Sequence, residues 1–272
     1  MREILGRRRR LLSWRIGRKS DQSPALLGAA ITFATEWRWP VLPGVGIDSQ
    51  VRRGLGTLDT DGDRRGEAGD RQGDTRKRTG KGTRKNARGT GTPTPRDTAA
   101  RCACPDPECG FPGAHPLDPG LLAATTDERM VRWWWTNRPG APVLLATGGR
   151  APCAVSLPAV AGARALAALD EAGVRTGPVV ATPARVFILV APYSMEQLGA
   201  LLYAKDWVPG SLRFHGDGGY VALPPSETGQ GQVRWEQAPL PGSSAPWVPD
   251  VEAVVDAVVD ALTRTGVSAP EL

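Results

Sequence analysis

An α+β (α/β) fold, with a mixed β-sheet flanked by helices and interrupted by a disordered insert, is predicted from three features of this sequence. From Thr125 to Arg264, segments with helical apolar spacing alternate with apolar runs of strand length. Gly and Pro, 33 and 25 in number, fall between these segments as turns. Between Ser49 and Thr98 hydrophobic residues nearly vanish. A chain of 272 residues accommodates one globular domain carrying appended segments.

The elements follow in order. Ser23 before Pro24 reads as an N-cap followed by a favoured first helical residue, and Leu27, Ala30, Ile31, Ala34 and Trp37 recur at helical spacing. Residues 49–98, rich in Gly, Arg, Asp and Thr, bury too little apolar surface to offset the entropy of ordering and are expected to be disordered. Thr125 and Glu128 form a capping box ahead of "DERMVRWWW", a helix in which three adjacent tryptophans point in different directions, so that most of the cluster is core. "APVLLAT" and "CAVSL" are strands, with Cys153 a small core residue; "AVAGARALAALDEAG" is a helix stopped at Gly173. "GPVVATP" and "RVFILVAP" are strands, and Ser194 with Gln197 caps the helix "MEQLGALLYA". "SLRFHG", "GYVALPP" and "GQVRWEQ" are strands divided by turns. The closing helix turns Val251, Val254, Val255, Val258 and Leu262 inward and Glu252, Asp256 and Asp260 outward. The expected division is a basic arm at 1–22, a folded body at 23–48 and 99–265, and the insert at 49–98.

The charge is unevenly placed. Of a net +6, residues 1–20 hold +7 and residues 49–98 hold +6, which leaves the remainder at −7. The insert is either a solvated linker or an arm that binds polyanions with strong salt dependence. Arg7 to Arg10 precede "ALLGAAITFA" as in a signal peptide, but Arg15, Arg18, Lys19 and Asp21 intervene and no small-residue cleavage site follows, so export is not expected. No run of 18 apolar residues occurs, which excludes a membrane-spanning helix. Four cysteines, three of them within eight positions, do not make a disulfide scaffold, and a reducing, cytoplasmic location is expected.

Two constellations carry chemistry. Cys102, Cys104, Cys109 and His115 lie in "CACPDPECGFPGAHP", three thiols and an imidazole separated by turn residues, as a tetrahedral structural zinc requires. The Cys-x-Cys spacing fits such a site but equally fits reduced loop cysteines that bind nothing. The second is "RFHGDGGYVALPPSETG". Arg213 and His215 can meet phosphate, Gly216, Gly218 and Gly219 permit close backbone approach, and Asp217 is the acid nearby. A glycine-rich hairpin turn without a ligand accounts for the same residues. Neither a Walker loop nor a dinucleotide fingerprint occurs.

Taken in order, "ALLGAAITFATEWRWPVLPG", "CACPDPECGFPGAHP", "RWWWTNRPGAPVLLATGG" and "RFHGDGGYVALPPSETGQGQVRW" resemble the N-terminal domain of bifunctional DNA primase/polymerases, a branch of the archaeo-eukaryotic primase superfamily. The resemblance runs from about Pro24 to Trp235 with residues 49–98 unmatched, and "GDGGYVALPPS" is its most specific part. It implies nucleotide and template bound across a mixed sheet, with two magnesium or manganese ions held by carboxylates for in-line phosphoryl transfer.

Three places that the resemblance would fill with those groups depart here. An Asp-x-Asp or Asp-x-Glu pair is expected after "ATGG", yet no acid occurs from Arg129 through Leu169. A histidine is expected after Thr182 and Pro183, where the chain reads "ARVFILV". Arg213 stands where a third carboxylate is expected, and Ala114 replaces the lysine of a Gly-Lys-His-Pro turn. The sequence therefore predicts the scaffold without the polymerase chemistry: a domain that binds nucleotide or DNA, partly through the basic arm and insert, with lost or residual nucleotidyltransferase activity. Magnesium or manganese enters only with residual activity, and the alternative is an inactive regulatory or protein-interaction module.

Overall fold

The computed structural model describes residues 22–48, 101–240 and 242–264. The basic arm and the insert lie outside the described residues.

Helix α1 (Ser23–Ile31) starts at Ser23 itself, with Pro24 in its first turn, so Ser23 is a helical residue and not the N-cap. It runs into a π-turn (Thr32–Glu36), and the buried stripe is Leu26, Ala30, Phe33 and Ala34. Leu27 and Ile31 are only partly buried: the buried residues keep helical spacing, but the stripe is rotated from the predicted one toward Leu26 and Phe33. After β1 (Val41–Pro43), α2 (Glu128–Asn137) is capped by Asp127, whose carboxylate accepts from Arg129 N at 3.0 Å. Thr125, the predicted cap, instead accepts from Asp127 N at 3.1 Å and shapes the approach. An anionic side chain suits the helix N-terminus better than a hydroxyl. Trp134 and Trp135 are core and Trp133 is exposed; Trp135 Nε1 donates to Ala141 O at 2.9 Å.

Strands β2 (Val143–Ala146), β3 (Cys153–Pro158), β4 (Val179–Ala181), β5 (Arg185–Val190), β6 (Arg213–His215) and β7 (Tyr220–Leu223) alternate with α3 (Ala159–Glu171) and α4 (Met195–Tyr203). Ser194 Oγ caps α4 by accepting from Gln197 N at 3.0 Å, as predicted. "GQVRWEQ" divides into β9 (Gly231–Gln232), paired with β8 (Glu227–Thr228), and β10 (Arg234–Gln237). Helix α5 (Val251–Arg264) buries the five predicted apolar residues.

A five-stranded sheet has the order β10-β4-β5-β3-β6, and a three-stranded sheet the order β1-β2-β7. The fold is α+β as expected, with a central sheet flanked by helices. The sheet was predicted to be mixed, but every pairing among the described strands is antiparallel. Strands β3 and β4 do run parallel, linked through α3, but β5 returns between them; β5 and β6 likewise straddle β3. The unit β3-α3-β4-β5-α4-β6 is thus a split βαβ arrangement, in which helical crossovers produce antiparallel neighbours.

Pleating sorts the central sheet into two faces. Cys153, Val155, Leu157, Val186, Ile188 and Val190 pack in a core with α3, α4 and α5. Ala154, Val180 and Leu189 face the other way, into a second core with α1, α2 and the three-stranded sheet. That second core does not cover the whole face. Beyond it lie Ser156 and Arg185, with Arg213 and His215 on the neighbouring strand.

Candidate metal centre and open sheet face

Residues 101–116 make no helix and pair only through isolated bridges, Ile47 with Cys102 and Gly46 with Gly113. Val45 N donates to His115 O at 3.0 Å, Ala103 N to Gly46 O at 3.1 Å, and Asp48 N to Arg101 O at 2.9 Å. The last hydrogen bond joins the described residues on either side of 49–100.

This anchoring gathers the four predicted ligands. One ligand atom each from Cys102, Cys104, Cys109 and His115 lies within 4.8 Å of all the others. Ligands about 2.3 Å from a tetrahedral centre stand about 3.8 Å apart, so little inward movement closes such a site. His115 Nδ1 lies 2.9 Å from Pro116 O, and donation there leaves Nε2, 3.3 Å from Cys102 Sγ, as the lone-pair nitrogen facing the cluster. Burial works to raise the Cys102 thiol, but hydrogen bonds from Gly113 N and Cys104 prevail and bring it down to about 7. Burial, with Cys102 and Cys104 beside it, pushes Cys109 up to about 11. The cluster is capable of coordinating a metal ion. Among the described residues, no group of three or more acids forms a comparable site.

The glycine-rich turn after β6 is held by neighbouring backbone. Thr147 Oγ1 donates to Gly216 O at 2.6 Å, and Thr147 N donates to Gly219 O at 3.0 Å. A side chain at Gly219 would meet Thr147 Oγ1 at 2.7 Å, and one at Gly216 would meet the Tyr193 ring at 3.2 Å. Asp217 is exposed at the tip and packs against Gly148. Farther along the same motif, Ser226 is fully buried and its Oγ accepts from Val143 N at 2.8 Å. Much of "GDGGYVALPPS" therefore serves to fasten β6 and β7 to β2.

Arg185 emerged only from the structure. Thr182 and Pro183 make the β4–β5 turn, closed by Arg185 N donating to Thr182 Oγ1 at 2.9 Å, and Arg185 opens β5 on the face of Ser156. Its Nη2 donates to Ser156 O at 2.8 Å, Ser156 Oγ at 3.1 Å and Ser211 O at 3.0 Å, while Nε donates to Ser156 Oγ at 3.2 Å. Ser156 Oγ also lies 3.0 Å from His215 Nε2, and the His215 ring sits 5.3 Å from that of Phe187. Register places Arg213 opposite Ser156 and His215 opposite Ala154. Burial and then the charges of Arg185 and Arg213 pull His215 down to about 4, so its imidazole is neutral near pH 7. Burial and Arg213 also lower Arg185. The signal for Arg185 lies in the sequence two positions after Pro183, in the stretch where the resemblance anticipates a histidine.

Strand β3, the β4–β5 turn and β6 are the three places where the resemblance anticipates catalytic groups, and the fold brings them side by side. A comparison with known families matches residues 30–248 to the model of the bifunctional DNA primase/polymerase N-terminal domain, Prim-Pol. The chain belongs to this family. No curated protein and no solved structure matches it. Within this Prim-Pol domain the convergent positions hold Ser156, Arg185, Arg213 and His215, and the expected carboxylates and motif histidine are absent from them.

Proposed function

We propose that this Prim-Pol domain binds nucleotide or nucleic acid through the open face of its central sheet and does not extend a primer. The observation that carries this reading is the absence of the expected acids where the three motif segments meet, with Arg213 at the place of one of them and Arg185 in the segment where the histidine is expected. Two divalent ions need anionic oxygen ligands to offset their dehydration, and guanidinium groups supply none. Binding centres on Arg213, His215 and the Gly216–Gly219 turn with Asp217. Magnesium or manganese takes part only if residual nucleotidyltransferase activity exists.

In this reading Cys102, Cys104, Cys109 and His115 hold a structural zinc, which stabilises a loop without a core of its own. The basic arm and residues 49–98 add sequence-independent attraction to DNA. Among the described residues all four cysteines are free, which supports a reducing, cytoplasmic setting, and no helix is long and apolar enough to cross a membrane.

The test is primer extension with magnesium or manganese, run beside filter binding of DNA and nucleotide on the full chain. Binding without incorporation is expected. Robust incorporation would overturn the non-polymerising reading, and absence of all binding would leave a protein-interaction module in its place.

A further inference from the structure

The hydroxyl of Ser156 fixes the proton arrangement of the open face. It has one hydrogen and two lone pairs. Arg185 Nε and Nη2 are obligate donors, so their contacts at 3.2 and 3.1 Å occupy the lone pairs. The single hydroxyl hydrogen is then left for His215 Nε2 at 3.0 Å, which must accept it. A neutral imidazole accepting at Nε2 carries its own proton on Nδ1. Among the described residues, Arg185's hydrogen bonds all use Nε and Nη2, and Nη1 makes none.

Across β3, Arg213 is exposed, lies in register with Ser156 and has no carboxylate partner among the described residues. Arg185 likewise has none, although it is only partly exposed. The face thus offers Arg185 Nη1, the Arg213 guanidinium and His215 Nδ1–H. All are donors, two belong to positively charged groups, and the nearest hydroxyl is already committed. Like charges on the two strands that flank β3 repel one another until an anion enters, and planar guanidinium forks match the oxygens of a phosphate group.

We infer that Arg185, Arg213 and His215 form a phosphate site that works without a divalent metal, the two guanidiniums supplying the positive charge that metal ions would otherwise bring to this face. This rests on the proposed function above and sharpens it. The phosphate belongs either to a free nucleoside polyphosphate or to the phosphorylated end of a strand. Magnesium complexes the same oxygens and finds Asp217 as the acid of the turn but no cluster of acids among the described residues to hold it, so it competes with the site instead of completing it.

The experiment is calorimetric titration of the full chain at about 150 mM salt, which screens exposed charges separated by more than about 8 Å. The probes are ATP, inorganic tripolyphosphate, and a short oligothymidylate with and without a 5′-phosphate, each with EDTA and with magnesium. Expected are ATP binding in EDTA at least as tight as in magnesium, displacement of ATP by tripolyphosphate, and about a tenfold or greater loss in Arg213→Glu. Arg213 is exposed, so that variant is expected to fold, with circular dichroism as the check. Arg185→Lys keeps the charge but not the fork that spans Ser156 and Ser211, and is expected to weaken ATP in the same direction. If only the 5′-phosphorylated oligonucleotide binds, in EDTA and sensitive to Arg213, the site stands and its source is a strand end. A requirement for magnesium would overturn the inference while leaving nucleotide binding intact. Unchanged affinity in both variants would overturn it too, placing binding elsewhere in the chain. Failure of every probe in every condition would remove the proposed function as well.

Discussion

Alanine substitutions at three glycines separate packing from ligand approach around the β6–β7 turn. At Gly148 the backbone has φ +96°, and a methyl group would collide with the Asp217 backbone and lie 2.7 Å from its Oδ1. Left-handed strain of about 1–2 kcal/mol adds to about 1–3 kcal/mol of overpacking, so Gly148→Ala is expected to cost about 4 kcal/mol. At Gly219 the strain is absent, but the methyl would stand 2.7 Å from Thr147 Oγ1 and 3.0 Å from Gly216 O, displacing the hydroxyl from its bond to that carbonyl. About 2–3 kcal/mol is expected there. Gly218 has φ +76° but open space within 4 Å, so strain remains, partly offset by the stiffer unfolded chain, and about 1 kcal/mol is expected. Urea unfolding read as midpoint shifts at constant slope checks the order Gly148 > Gly219 > Gly218. Equal stability of the Gly148 and Gly218 variants would refute the close packing of the two turns. Gly218→Ala also has a binding readout: if phosphate approaches this backbone, it loses ATP affinity out of proportion to its small stability change.

Ser226→Ala leaves the buried Val143 N–H without its acceptor and is expected to cost about 1–3 kcal/mol, visible as a lower melting temperature; an unchanged melt would contradict the hydrogen bond at 2.8 Å. His215 titrates near 6.5 in the unfolded chain and at about 4 in the folded one, so the unfolded state binds the extra proton in that window and stability falls as pH drops through it. Between pH 7 and about pH 5 the loss is about 2 kcal/mol at 1.36 kcal/mol per pH unit, and His215→Gln should show a correspondingly flatter profile; identical slopes would place His215 in an ordinary environment. For the cysteine loop, native mass spectrometry is expected to find one zinc per chain, lost with Cys102→Ser, and chelation should lower the melting temperature. A metal-free chain with an unshifted melt would instead leave Cys102, Cys104, Cys109 and His115 as loop residues.

What could be read from the sequence was whatever local physics decides. The valine stripe of α5 is buried as its 3.6-residue spacing requires, and Cys102, Cys104, Cys109 and His115 meet because turn residues separate them. In the first helix the spacing was right and the phase was not: Leu26, Ala30, Phe33 and Ala34 are buried at helical spacing, a stripe rotated toward the long-range packing of Phe33 against Trp39 and Trp235, which local pattern does not reveal. Asp127 displaced Thr125 as the cap because its charge also interacts with the helix dipole. Strand pairing is a long-range property: alternating helices and strands suggested parallel neighbours, and only the return of β5 between β3 and β4 makes them antiparallel. Arg185 escaped notice for a related reason. Its partners Ser156 and Ser211 lie 29 and 26 positions away, and a missing histidine after Thr182 and Pro183 does not by itself point to the cation nearby.

That cation changes how the net charge of +6 should be understood. If residues 1–20 and 49–98 are set aside, the rest of the chain is at −7, so its average field repels a polyanion. A small phosphate is governed less by that average than by the charges within a Debye length, about 8 Å at physiological salt. On the open face those include Arg185 and Arg213 without a carboxylate partner among the described residues. A long strand, by contrast, samples the whole surface and needs the basic segments to overcome it. Under the proposed function the two sources of positive charge suit different tasks: the segments would draw in a polymer without regard to sequence, and the face would select a phosphate by geometry. Under this division, rising salt weakens strand binding steeply, because many phosphate contacts release counterions, whereas ATP binding through few donors, Arg185 and His215 of them partly buried, falls less.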